Sequence, residues 1–110
     1  MENLTKEKFE IFMMLCASGI DGNISMTELE RILMQFDEKT YREVFDSWKK
    51  MTNPAWLSFF KEHKDEFLKT EEDKAAFLAD LNDIVMADGE NSPKEQNFMK
   101  VLEMLINDEL

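Results

Sequence analysis

Apolar side chains recur three and four positions apart in six stretches of the chain, and no stretch carries a clear two-residue strand alternation. Local punctuation sharpens each stretch into a helix. Thr5 caps the first, with Leu4 before it and Phe9 four residues inside as a hydrophobic staple; Phe9, Phe12, Met13 and Cys16 follow, and Gly19 ends it. Ser25 and Glu28 form a capping box, Ile24 and Leu29 a staple, for a second helix running to about Phe36 with Leu29, Ile32, Leu33 and Phe36 inward. Asp37 or Thr40 caps a third, striped by Tyr41, Val44, Phe45 and Trp48. Asn53-Pro54 opens a fourth through Trp56, Phe60, His63 and Phe67, by the preference for proline in the first helical position. Thr70 with Asp73 opens a fifth through Phe77, Leu78, Leu81, Ile84 and Val85, which stops at Asp88-Gly89. Ser92, Pro93 and Glu95 launch the last, with Phe98, Leu102, Leu105 and Ile106 inward.

The expected fold is therefore all-α, a bundle of about six helices forming one domain over residues 1–110. Composition agrees: 44% hydrophobic and 34% charged residues suit a globular chain, and three Gly with two Pro leave little material for hairpins. Charge narrows the partners. A net −11 should be repelled by nucleic-acid phosphates and by anionic lipid headgroups, so neither is expected to bind. The acid excess is uneven: residues 1–55 carry ten acids and seven bases, residues 56–110 fourteen acids and six bases. One cysteine cannot form an internal disulfide, which points to a reducing compartment. The longest apolar run, Ile11 to Ala17, is far short of the ~20 residues of a membrane span, and Met1 to Glu10 lacks the basic start of a signal peptide. A cytoplasmic protein with no direct membrane insertion is the expectation.

The most informative feature is a repeat. Asp21-Gly22-Asn23-Ile24-Ser25-Met26-Thr27-Glu28 and Asp88-Gly89-Glu90-Asn91-Ser92-Pro93-Lys94-Glu95 share Asp-Gly, then Ser three residues after Gly, then Glu three further on, 67 positions apart. Each copy lies between an apolar helix end and a capped helix start. Both read as helix, Asp-Gly turn, helix, which suggests two hairpins related by an approximate two-fold.

Here the chain resembles the TerB-like family, small all-helical bacterial domains named for tellurite resistance. The resemblance rests on Cys16-Ala17-Ser18-Gly19-Ile20-Asp21-Gly22 with Glu28, and on Val85-Met86-Ala87-Asp88-Gly89-Glu90 with Pro93 and Glu95. It implies a helical bundle with the two Asp-Gly turns close together, an acidic cluster that binds a divalent metal, and a role in stress-response or membrane-associated complexes. The segment from Asp37 to Thr70 carries no matching motif.

If the two turns meet, Asp21, Glu28, Asp88 and Glu95 converge, with Asp83 and Glu90 adding charge nearby. Such a cluster repels itself unless a hard cation such as Ca²⁺ or Mg²⁺ takes the oxygens as ligands. The competing reading is structural: Glu28 and Glu95 already serve as capping-box residues, and Asp-Gly is a good turn. An EF-hand is excluded, because aligning its loop glycine on Gly22 or Gly89 puts Ala17 and Gly19, or Ile84 and Met86, at its leading ligand positions.

An enzyme is not expected. His63 lies in the aromatic stripe of Trp56, Phe60 and Phe67, Cys16 reads as an inert buried thiol, and the three glycines supply no phosphate-binding loop. A small hydrolase using the clustered acids would need a deep pocket and a shifted carboxylate, which nothing in the sequence indicates. Met13, Met14, Met34, Met86, Met99 and Met104 read as core filling. Trp48, Trp56 and Phe59, beside Met51, gather enough apolar surface for a partner-binding groove. Two functional readings result: a divalent-metal-responsive stress or resistance protein using Asp21, Glu28, Asp88 and Glu95, or a metal-independent adaptor whose aromatic middle segment docks another protein.

Overall fold

The first helix is apolar on every side from Ile11 to Ala17, and a helix with no polar face must be covered all round. The computed structural model, which describes residues 4–19, 24–51, 55–86 and 93–107, places it accordingly at the centre. Helix α1 (Lys6–Ser18) touches all five others: α2 (Met26–Gln35), α3 (Glu38–Trp48), α4 (Ala55–Phe67), α5 (Glu71–Val85) and α6 (Pro93–Ile106). No strand occurs among the described residues, so the protein is an all-α bundle, as its periodicity predicts. The expected inner face of α1 is too narrow: Ile11, Met14, Leu15 and Ala17 are buried along with Phe9, Phe12, Met13 and Cys16.

The predicted helix starts follow from side chains that satisfy otherwise orphaned backbone N–H groups. The Thr5 hydroxyl accepts from the Lys8 N–H at 3.2 Å. Ser25 and Thr70 head full capping boxes: Ser25 Oγ accepts from Glu28 N at 3.1 Å while Ser25 N donates to Glu28 Oε1 at 3.0 Å, and Thr70 with Asp73 does the same at 3.0 and 3.3 Å. At α3 the N-cap position falls to Asp37, in extended backbone, without a side-chain capping bond. The predicted caps Asn53-Pro54 and Ser92, and both Asp-Gly turns, lie outside the described residues. The helices that flank each turn, α1 with α2 and α5 with α6, pack against one another.

One hydrophobic core runs through the bundle, and its densest part is aromatic. The Phe9 ring lies 5.2–6.0 Å from the rings of Phe59, Phe60, Phe67 and Phe77, which joins α1 to α4 and α5. Phe12 packs on Phe59 at 4.3 Å, and Trp56 on Phe98 of α6 at 4.5 Å. Lys64 of α4 donates to the Leu105 carbonyl at 2.8 Å, satisfying an acceptor in the last turn of α6. Lys8 reaches Glu43 of α3 at 2.9 Å, and Arg31 of α2 reaches Asp83 of α5 at 3.5 Å. An exposed pair such as Arg31–Asp83, each partner about half in water, contributes little to stability, so the core carries the fold.

The six methionines expected in the core divide. Met13 and Met14 are buried and Met99 is packed against the core, but Met34, Met86 and Met104 are exposed. Leu33, expected on the inner face of α2, also faces water. The reason is local: α2 packs chiefly on α1 and α5, and Ile32 with Glu28 takes up the buried side. Position 34 lies about 200° round the helix from position 32.

Candidate functional site

A glutamate in a capping box usually sits at the surface, because one carboxylate oxygen needs water once the other has returned its bond. Asp73 behaves in this way: it is partly exposed, accepts from Thr70 N and pairs with Lys6 at 3.4 Å. Those contacts, the Thr70 amide first, hold its carboxyl below the usual carboxylate range. The two repeat-equivalent glutamates differ. Glu28 is 3% exposed and Glu95 5%. Glu28 Oε1 accepts the Ser25 amide, whereas Oε2 is buried with no hydrogen-bond partner among the described residues.

Two of the four predicted ligands are thus described, and both are buried in the first turn of a helix. Asp21 and Asp88, with Glu90, fall outside the described residues. Among the described residues no three His, Cys, Asp or Glu side chains stand close enough together to hold an ion. Asp83 is turned to the exterior, where it pairs with Arg31.

The aromatic middle segment is committed inward. Phe59 is only 9% exposed, stacked on Phe9 and tilted against Phe12, so its side chain is part of the core. Trp56 is half-buried against Phe98. Trp48 is half-buried too, with Phe45 at 5.7 Å and its six-membered ring edge against Gly19. A Cβ on Gly19 would lie 2.6 Å from Trp48 Cζ2. Gly19 has φ −94°, so it is needed for this close approach and not for a left-handed turn. What the aromatic signal missed is the outer side of α2, where Met26, Leu33 and Met34 stand exposed.

His63 packs between Phe59 at 4.9 Å and Phe67 at 6.3 Å, with Glu66 at 3.4 Å and Glu62 at 3.9 Å from its ring nitrogens. An open groove of about 570 Å³ runs between α5 and α6, floored by Leu78, Ala79 and Met99 and edged by Asn82, Gln96, Lys100 and Glu103. On α1, burial raises the Glu10 carboxyl above the usual range, opposed by Lys6. Asp80 is raised by burial and then by Asp83. No helix among the described residues is long and apolar enough to cross a membrane.

Cys16 is buried and reduced. Burial pushes its thiol up to about 12, against a weaker opposing hydrogen bond with Trp48. The neutral thiol is a poor nucleophile, so alkylation by iodoacetamide at pH 8 should proceed only as fast as the protein opens. A raised folded value also means stability that is present below about 9 and lost as pH rises toward 12, because the unfolded thiol ionises first. Urea midpoints of wild type and Cys16→Ala between pH 8 and 11 should show that extra decline in wild type alone.

Comparison with known proteins adds one finding. The family model described as tellurite resistance protein TerB matches residues 11–107. Neither the curated proteins nor the solved structures returned a match.

Proposed function

Because this chain belongs to the TerB family, we propose that it is a non-enzymatic binding module of a bacterial stress or tellurite-resistance system, and that it responds to a divalent cation held by Asp21, Glu28, Asp88 and Glu95. The observation that carries the reading is Glu28. A carboxylate 97% removed from solvent with one oxygen satisfied by a cap and the other by nothing described is costly unless a further group completes it. Its repeat partner Glu95 is buried to the same degree. An all-carboxylate donor set suits Ca²⁺ or Mg²⁺, hard cations that prefer oxygen. A bound ion would neutralise these acids and tie the first half of the chain to the second. The protein itself would supply the buried carboxylates and the capped helix starts that hold them in place.

A cation that binds only the folded state stabilises it by about 2.7 kcal/mol at a hundred times its Kd. For a domain of this size that is roughly 10 °C in Tm. The test is a thermal melt with Ca²⁺, Mg²⁺ or Mn²⁺ up to millimolar concentration, with backbone NMR of the four residues. Glu28→Gln retains a cap acceptor but loses the charge, and should fold yet lose the metal response. Asp21→Asn with Asp88→Asn should raise the metal-free Tm by relieving repulsion and abolish the response as well. An unchanged Tm together with unmoved signals at all four residues would overturn the metal reading. The alternative, an adaptor docking through Trp48, Trp56 and Phe59, has less behind it, since all three are engaged in internal packing.

A further inference from the structure

Helix α2 presents an outer face whose composition is unlike the rest of the surface. Met26 is 69% exposed, Leu33 39% and Met34 82%. With 3.6 residues per turn, Met26, Glu30 and Met34 fall on one i, i+4, i+8 row, and Leu33 stands beside it, in an arc of about 100° turned away from Ile32. The other exposed large apolar residues, Met51, Met86 and Met104, come from three separate places in the chain and call for no explanation. Three from one ten-residue helix do. Glu30, exposed at the centre of the row, makes no ion pair among the described residues, whereas its neighbour Arg31 is turned to Asp83.

We propose that this face docks a basic amphipathic helix of another protein, its apolar side chains on Met26, Leu33 and Met34 and a Lys or Arg on Glu30. Methionine side chains are flexible and polarisable, and repack around differing apolar partners. A carboxylate flanked by Met26, Leu33 and Met34 gains a charge-assisted bond from a cation that no described residue supplies there. A second copy is the wrong occupant. The row is symmetric about Glu30, so antiparallel pairing of two α2 helices would set one Glu30 against the other in a desolvated contact, between chains that each carry −11. An anionic lipid surface is equally unsuited, because the row offers no cation. This docking face lies opposite the buried Glu28 and does not depend on metal binding.

The probe is a synthetic amphipathic Leu/Lys helix, titrated into protein labelled at the methionine methyl groups and followed by NMR. Met26 and Met34 should move and saturate, while buried Met13 and Met14 stay still. Glu30→Lys, a surface exchange between two good helix formers, should leave the fold intact and weaken the peptide at least tenfold. A Leu/Glu peptide should not bind. The proposal is overturned if a scrambled peptide of the same composition binds as tightly, since that would be attraction to net charge alone. It is also overturned if Met99 and Met104 move in place of Met26 and Met34, if the Met26 and Met34 signals shift with protein concentration before peptide is added, or if anionic vesicles move them.

Discussion

Replacing Phe9 by alanine should lower the unfolding free energy by about 3–5 kcal/mol, the range for truncating a fully buried phenylalanine. Phe9 has no exposed surface, and its ring meets four other phenylalanine rings, three on α4 and one on α5. Those rings are fixed on α4 and α5, across from α1, so they cannot close over the void without moving a backbone, and the lost area adds to an unfilled cavity. Against the 5–15 kcal/mol typical of a whole domain, the variant should be marginal at 37 °C. Phe9→Leu keeps most of the volume and should cost under about 1.5 kcal/mol. Urea unfolding followed by the fluorescence of Trp48 and Trp56 measures both. The midpoint should fall with the slope unchanged, and a loss below 1 kcal/mol for Phe9→Ala would show that the aromatic cluster is not the keystone of the core.

The same cluster marks how far the fold could be read from the chain. Helix starts at Thr5, Ser25 and Thr70 were legible because a capping bond spans three residues and needs no tertiary partner. The central position of α1 was legible only indirectly. The uninterrupted apolar run from Ile11 to Ala17 is what a surrounded helix looks like, yet a stripe of Phe9, Phe12, Met13 and Cys16 can be drawn through it just as well. At Leu33 and Met34 the periodicity misled for the opposite reason: α2 is apolar on more of its circumference than its two chief neighbours cover.

The candidate site was legible in part. The repeat in the sequence singles out Glu28 and Glu95, and both prove buried. It does not say which oxygen is left over, because that depends on what surrounds the helix start. Nor could the aromatic count separate a docking groove from packing. Phe59 and Trp56 find their partners on helices far away in sequence, α1 and α6, which no local pattern encodes.

Gly19→Ala should cost about 1–3 kcal/mol, the range for forcing extra volume into a packed site. Two effects oppose each other. At φ −94° and ψ 7° the backbone suits any residue, and at such positions an alanine normally stabilises by about 0.4–1 kcal/mol by restricting the unfolded chain. Sterics should outweigh that gain, because the new Cβ would stand 2.6 and 2.9 Å from Cζ2 and Cη2 of Trp48 and 3.0 Å from the Leu15 carbonyl oxygen. The carbonyl belongs to the helix backbone and accepts the Gly19 N–H at 2.8 Å, so relief must come from the indole. Phe45, whose ring centroid lies 5.7 Å from that of Trp48, packs on the indole and limits its retreat. The double-mutant cycle separates the terms. In a Trp48→Phe background the missing ring edge frees the space, and Gly19→Ala should become neutral or stabilising when measured by urea unfolding. An equal cost in both backgrounds would place the strain at Leu15 rather than at Trp48.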